Sequence, residues 1–206
     1  EQCASIPLGR TNDLGQEVTK YRMYPDEMRY PILDNDSKND DIALLIYTSG
    51  STGIPKGVMI KQDSITNYIK PTPENSPINA IANEVSRMLS ITTASFIAFL
   101  SESFASVMNG VPMVLADEET SMNPIKLAEL IKKYEIDGMS ATPSRLQQYL
   151  TIDDFRRAVK DIKVITIGGE KFIESLYPTL VKYTDADIYN SYGPTEVTVA
   201  SHDKLM

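Results

Sequence analysis

Between Thr48 and Gly57 the chain places four hydroxyl side chains (Thr48, Ser49, Ser51, Thr52), three glycines (Gly50, Gly53, Gly57) and one lysine, Lys56. Glycines let backbone N–H groups approach an oxyanion closely, hydroxyls add donors, and an ammonium adds a point charge. The stretch therefore has the chemistry of a phosphate cradle. The alternative is a solvated Ser/Gly linker, but such a linker does not usually follow a buried apolar strand directly or end in Pro-Lys-Gly. The familiar G-x-x-x-x-G-K-[ST] loop is not matched, because Lys56 follows Pro55 and precedes Gly57.

The elements that must hold this loop follow from composition and pattern. With 206 residues, 42% of them hydrophobic, the chain can bury one sizeable core or at most two small lobes. A formal charge of −8 argues against nucleic acid or an anionic membrane as the main partner, though an anionic ligand can still bind locally. Cys3 is the only cysteine and His202 the only histidine, so an internal disulfide and a Cys/His zinc cluster are both excluded. No leader and no apolar stretch near eighteen residues stands out, and the expected location is the cytoplasm.

Residues 1–41 are polar, interrupted by Pro7, Pro25 and Pro31, and close in the acidic run DNDSKNDD. They read as an irregular lead-in, the remnant of a larger upstream lobe. From 42 to 206 short apolar runs alternate with helical spacing. Ile42–Tyr47, Val111–Ala116, Ile136–Ser140, Lys163–Ile167 and Asp187–Ser191 are strand-like in length and β-branched content. Phe96, Phe99, Leu100, Phe104, Val107 and Met108 predict one helix that stops at Asn109-Gly110, with Phe96 in the core. Leu127, Leu130, Ile131 and Tyr134 predict another, opened by Asn123-Pro124. A weaker helix over 172–183 should be kinked or divided by Pro178, and a further helix begins near Pro77 after a polar loop. The pattern predicts an α/β fold, a layered and mainly parallel sheet flanked by helices. Its ligand crevice should lie at the carboxyl ends of the strands, with Tyr47, Ser140, Ile167 and Ser191 pointing into it.

Three motifs then carry a resemblance. YTSGSTGIPKGVMI resembles the phosphate-loop signature of the adenylate-forming, AMP-binding superfamily. YNSYGPTEVTV (Tyr189–Val199) is similar to the downstream nucleotide motif as nonribosomal peptide synthetase adenylation domains carry it, and ITIGGE (Ile165–Glu170) is similar to the strand and turn before it. The resemblance covers roughly residues 42–202 and implies the central, flavodoxin-like part of the family's large N-terminal lobe. By that resemblance Thr48, Ser49, Gly50, Ser51, Thr52, Gly53, Lys56 and Gly57 would wrap the β- and γ-phosphates of ATP, with Lys56 screening the leaving pyrophosphate. Gly168, Gly169 and Glu170 would wall the adenine and Asn190 would hydrogen-bond it. Tyr192 would stack on its face, with Gly193 leaving room for the ring. Thr195 would contact the α-phosphate and Glu196 would help hold Mg2+. The implied reaction is attack of a substrate carboxylate on the α-phosphorus, giving an acyl-adenylate and pyrophosphate by positioning and charge neutralisation. The acyl group would pass to the phosphopantetheine thiol of a carrier protein.

The resemblance also implies an acyl pocket of Ile97, Ala98, Ser101, Ser140, Ile165, Ile167, Ser191, Val199 and Ala200. Ile97 stands where amino-acid-activating members place an aspartate for the substrate's α-ammonium. An ammonium facing isoleucine would be an uncompensated buried charge, costing about 3–5 kcal/mol. That favours an acyl, aryl, keto or hydroxy acid, or a β-amino acid. Against it stands an ammonium held elsewhere, as by Glu102, or an alignment one residue off. The family's ribose-binding aspartate, hinge and C-terminal lysine lobe are not found in this stretch, so weak or no adenylation is expected of the chain alone. Two other readings stay open here, a fragment of an acyl- or aryl-CoA ligase and a non-catalytic nucleotide-binding or scaffold module.

Overall fold

The computed structural model describes residues 3–5, 22–25, 38–49 and 54–206. Chain contacts divide it into two units, Glu1–Lys38 and Asn39–Met206. In the first, where the sequence suggested an irregular lead-in, β1 (Cys3–Ser5) and β2 (Arg22–Pro25) pair antiparallel.

The second unit opens with β3 (Ile42–Thr48), which pairs antiparallel with β4 (Lys56–Lys61) as a separate two-stranded sheet. This corrects the expectation of a buried strand ahead of the loop. Only one face of the hairpin is covered, through Ile46 and Ile60, whereas Leu45, Tyr47 and Met59 are exposed. Period-2 alternation turns Tyr47 outward, 67% exposed, and it does not reach the crevice. Helix α1 (Gln62–Tyr68) follows, then α2 (Ser76–Glu84), with Pro77 in its first turn.

The main sheet comprises β5 (Met88–Ser90), β6 (Met113–Leu115), β7 (Gly138–Ala141), β8 (Val164–Gly168), β9 (Asp187–Tyr192) and β10 (His202–Leu205), in the order β10-β9-β8-β7-β5-β6. All pairs are parallel except β9 with β10. Taking the five parallel strands alone, the order is that of a flavodoxin-like sheet, and the expected α/β architecture holds. The crossovers carry α3 (Phe99–Glu102) and α4 (Phe104–Met108), then α5 (Glu118–Met122) and α6 (Pro124–Lys133), then α7 (Pro143–Tyr149) and α8 (Asp153–Ala158), then α9 (Leu176–Leu180). One core lies on the α6, α7 and α8 side, around Leu127, Ile131, Met139, Leu146, Tyr149, Phe155 and Ile165. The opposite face packs on α2 through Ile78, Ile81, Met88 and Tyr189.

Local chemistry accounts for the helix ends. Asn123 Oδ1 accepts from the N–H groups of Ile125 (3.0 Å) and Lys126 (3.3 Å), with Pro124 first in the helix, so the expected cap forms. Pro178 does not divide α9, because it sits within the first turn, where an N–H has no helical acceptor in any case. The single helix expected over 96–108 is instead two short ones, α3 and α4, separated at Ser103. Their buried face is Leu100, Ser101, Glu102, Ala105 and Ser106, while Phe96, Phe104, Val107 and Met108 are exposed. Hydrogen bonds made by Glu102 to the end of β5 pull the polar face inward and reverse the orientation that apolar spacing suggested.

At the opposite, amino-terminal edge of the sheet, Asp137 Oδ1 accepts from the N–H groups of Ser86 (2.8 Å) and Arg87 (2.9 Å), and Oδ2 pairs with Lys163 Nζ at 2.9 Å. Burial pushes the Asp137 carboxyl up, but the Lys163 ammonium and those N–H donors outweigh it and hold the group below its ordinary value of 3.8. A lowered folded-state value contributes stability above the unfolded pKa and loses it as pH falls through the folded one. The urea midpoint of the chain should therefore drop on acidification below about pH 4, and Asp137→Asn should flatten that dependence. An unchanged pH profile in the variant would contradict the assignment.

Candidate functional site

The carboxyl ends of β5, β7, β8 and β9 open into one cleft of about 700 Å³. Four segments from the strand ends line it, together with Tyr68 of α1, Pro77, Ile78 and Ile81 of α2, and Met122 of α5. Thr92, Thr93, Phe96, Ile97, Ala98 and Ser101 come from the β5–α3 connection, Ser140 to Thr142 with Arg145 from β7 and α7, Gly168 to Glu170 from the end of β8, and Ser191, Gly193, Thr195 and Val199 from β9 and the turn after it. The strand order reverses at β5, so this is the crevice an open parallel sheet provides for a ligand.

Backbone chemistry shapes two walls. At Gly168 a Cβ would lie 2.7 Å from the Ser191 carbonyl oxygen, so glycine is what allows β8 and β9 to approach there. Gly169 has φ +80°, a conformation that L side chains rarely adopt, and it turns the chain so that Glu170 crosses to α7. Glu170 Oε2 accepts from the Ser144 N–H at 3.2 Å. The Ser144 hydroxyl foremost, against slight burial, holds the Glu170 carboxyl below its usual range. Past β9, the 3-10 turn Thr195–Val197 ends in Thr198 (φ 63°) and Val199 (φ 73°). Left-handed backbone at two consecutive β-branched residues costs on the order of 1–2 kcal/mol each, so the turn is held there by its surroundings. Tyr192 O accepts from Ser201 N at 2.9 Å and closes the loop.

The structure brings together many, not all, of the expected residues. Ile97, Ala98, Ser101, Ser140, Ser191 and Val199 line the cleft, as do Gly168, Gly169, Glu170, Gly193 and Thr195. Ile165 and Ile167 do not: both are fully buried in the α6, α7 and α8 core. Parity along β8 sends Thr166 and Gly168 into the cleft instead, and Thr166 is a residue the sequence reading missed. Its Oγ1 is the one buried side-chain oxygen without a hydrogen-bond partner among the described residues. A lone hydroxyl within an apolar run was the available signal. Ala200 and Glu196 face a smaller adjoining pocket of about 240 Å³, with Ser64, Asn67 and Tyr68. Tyr68 lines both spaces. Asn190 and the 69% exposed Tyr192 alternate with the cleft-lining Ser191 and Gly193 and are not themselves in the wall. Thr48, Lys56 and Gly57, with Ser49 just past the end of β3, lie at the loop end of the β3–β4 hairpin, whose β4 packs against the Thr195–Val197 turn. Gly50, Ser51, Thr52 and Gly53 lie outside the described residues.

Glu102 is also placed. Its carboxylate is turned away from the cleft, accepting from Ser90 Oγ (3.0 Å), Ile91 N (2.9 Å), Thr92 N (2.9 Å) and Thr92 Oγ1 (2.6 Å). It is not free to receive a substrate ammonium.

The profile of the AMP-binding enzyme family matches residues 9–205. The chain belongs to that family. Among curated relatives, this AMP-binding chain is 33% identical to the dimodular nonribosomal peptide synthase of Bacillus subtilis over 79% of its own length and 6% of that protein. It is 31% identical to gramicidin S synthase 2 of Brevibacillus brevis over 80% of its length and 4% of that protein. It thus spans a small part of the relatives it matches. In fold it is similar to the N-terminal subdomain of Klebsiella oxytoca NpsA in complex with anthranilyl-AMSN, with TM-score 0.70 and 22% identity over 94% of this chain and 46% of that one. It is also similar to the N-terminal domain of FACL13 from Mycobacterium tuberculosis, with TM-score 0.66 and 21% identity over 82% and 41%.

Proposed function

We propose that this AMP-binding chain forms the nucleotide- and acyl-binding part of an adenylation domain that activates a carboxylic or amino acid with ATP for transfer to the thiol of a carrier protein in peptide synthesis. The observation that carries this reading is one cleft shared by the Gly168–Glu170 turn, the Gly193–Thr195 turn and the Ile97–Ser101 segment, with the β3–β4 hairpin packed against Thr195–Val197. The residue order along the cleft suits the chemistry. Gly168 to Glu170 would hold the base, and the exposed Tyr192 ring, outside the wall in this structure, would have to turn inward to stack on it, as would Asn190 to hydrogen-bond it. Thr195 would bind the α-phosphate, and Lys56 with the hydroxyl-rich loop the β- and γ-phosphates.

For Mg2+ the nearest carboxylate is Glu196, which follows the cleft-lining Thr195 in sequence and faces the adjoining pocket. Among the described residues no group of three acidic, Cys or His side chains exists that could cage a metal alone. That fits Mg2+, which keeps several waters and binds through one or two carboxylates plus substrate phosphates. When bound it would neutralise phosphate charge as the carboxylate attacks. The protein's own part is to align the acid with the α-phosphorus and to keep water out.

A carrier-protein partner and a cytoplasmic setting are supported by the likeness to peptide synthases. No helix among the described residues is long and apolar enough to cross a membrane. A second reading, an acyl- or aryl-CoA ligase fragment, is favoured by Ile97 at the cleft wall. Offering CoA and a phosphopantetheinyl carrier as competing acceptors would decide between them. For the nucleotide itself, Lys56→Ala should weaken ATP binding about tenfold in calorimetric titration, as loss of one charge-assisted phosphate contact. Equal affinity in wild type and variant would count against the reading.

A further inference from the structure

The acyl end of the cleft contains a polar pair that the phosphate and base contacts leave unused. Ser191 on β9 and Asp203 on β10 are directly opposite in the antiparallel pair, and the Ser191 hydroxyl donates to Asp203 Oδ1. A serine has one proton to give. With that proton engaged by Asp203, what Ser191 Oγ offers the cleft is its lone pairs. Asp203 itself is half-buried beside Ser191 on the same sheet face, and burial foremost pushes its carboxyl above the usual range, against the Ser191 hydrogen bond. Its charge also reaches Tyr68, another cleft residue, whose hydroxyl is pushed up first by burial and then by Asp203.

Two further observations bear on what fills this end. Thr166, two register positions behind the Gly168–Ser191 pair and so on the same sheet face, carries the buried hydroxyl without a partner. Ile97, an aliphatic side chain, lines this cleft, and the carboxylates of Glu102 and Glu170 are committed elsewhere, Glu102 to the end of β5 and Glu170 to Ser144. An aliphatic side chain seated here would leave Thr166 Oγ1 and the Ser191 lone pairs desolvated and unpaired.

Resting on the acid-activating reading above, we propose that Asp203 is a positioning residue for substrate choice: it fixes Ser191 as a hydrogen-bond acceptor, so the acid taken into the cleft carries a donor, hydroxyl or amino, on its side chain. Sites built to bond a substrate hydroxyl or N–H reject the analogue that lacks it far more strongly than apolar pockets reject a missing methylene.

The test is calorimetric titration of this chain, with α,β-methylene-ATP present, using matched acids: 6-hydroxyhexanoate and 6-aminohexanoate against hexanoate, and 3-hydroxybenzoate against benzoate. At least one donor-bearing acid should bind about tenfold more tightly than its donor-free counterpart, the effect of roughly one well-made hydrogen bond. The hydroxyl and amino arms identify which donor is used. Ser191→Ala should bring the ratio to about one. Asp203→Ala should reduce it to about twofold, while Asp203→Asn, whose amide oxygen still accepts from Ser191, should restore most of it. That rescue separates positioning from a structural role of β10, and a cooperative melt of each variant reports folding. All pairs binding within about twofold in the wild type, or a ratio that survives Ser191→Ala, would overturn the proposal. If α,β-methylene-ATP binds normally while the acids are not discriminated, this inference alone fails; if the nucleotide does not bind, the adenylation reading fails.

Discussion

Glu102→Ala should lower the stability of the chain by about 3–5 kcal/mol, read as a shift in urea midpoint. The side chain is fully buried and its carboxylate gathers four donors from Ser90, Ile91 and Thr92. Truncation to alanine leaves the Ile91 and Thr92 N–H groups without an acceptor in the interior and opens a cavity beside β5. Burial foremost raises the Glu102 pKa, while the hydrogen bonds from Thr92, Ser90 and Ile91 pull the other way and do not cancel it. A raised folded-state value means stability is greatest below the unfolded pKa and is lost as pH rises through the folded one, the reverse of Asp137. Glu102→Gln should abolish that decline, although its amide group is a poor match for four donors. The consequence for the site is direct, because the segment Glu102 anchors, Thr92 to Ser101, forms one wall of the cleft. A loss under about 1 kcal/mol would show that the β5–α3 connection is held by something else.

Gly193→Ala should weaken ATP binding by about a hundredfold and cost about 1–3 kcal/mol of stability, the usual range for overpacking a tight site. A Cβ on Gly193 would lie 2.7 Å from Ala200 Cα and 2.8 Å from Ser201 N, both backbone atoms that cannot rotate aside. The loop from 193 to 200 would have to open. Thr195 and Val199 would leave the cleft wall, and Glu196 and Ala200 would leave the adjoining pocket. Titration calorimetry with ATP and a thermal melt measure the two effects separately. Wild-type affinity in this variant would mean that the turn is not part of the nucleotide site.

How much of this was legible in the sequence depended on how local the determinant was. The α6 cap at Asn123-Pro124, the strands at β6 to β9 and the two glycine turns of the cleft rest on neighbouring residues, and they were readable as such. The interior strand β5 was not, since Met88–Ser90 is three residues long and lacks β-branched content. β8 shows a subtler limit. A strand buried on both faces has no alternation to reveal which parity meets the ligand, so Ile165 and Ile167 read as well as Thr166 and Gly168 until the register with β7 and β9 was in place. For α3 and α4 the apolar spacing was real, yet the hydrogen bonds of one buried carboxylate decided which side faced inward. Tyr47 is a case of the same kind, because nothing in Ile42–Tyr47 says that its partner is β4 rather than the main sheet.

The claim on which the account rests is that the cleft at the carboxyl ends of β5, β7, β8 and β9 receives ATP. Photolabelling with 8-azido-ATP, followed by peptide mapping, tests it most directly. The account predicts saturable labelling, competed by unmodified ATP, within the peptides that contain Gly168–Glu170 or Tyr192–Thr195. Labelling confined to other peptides, or none that ATP can displace, would contradict it.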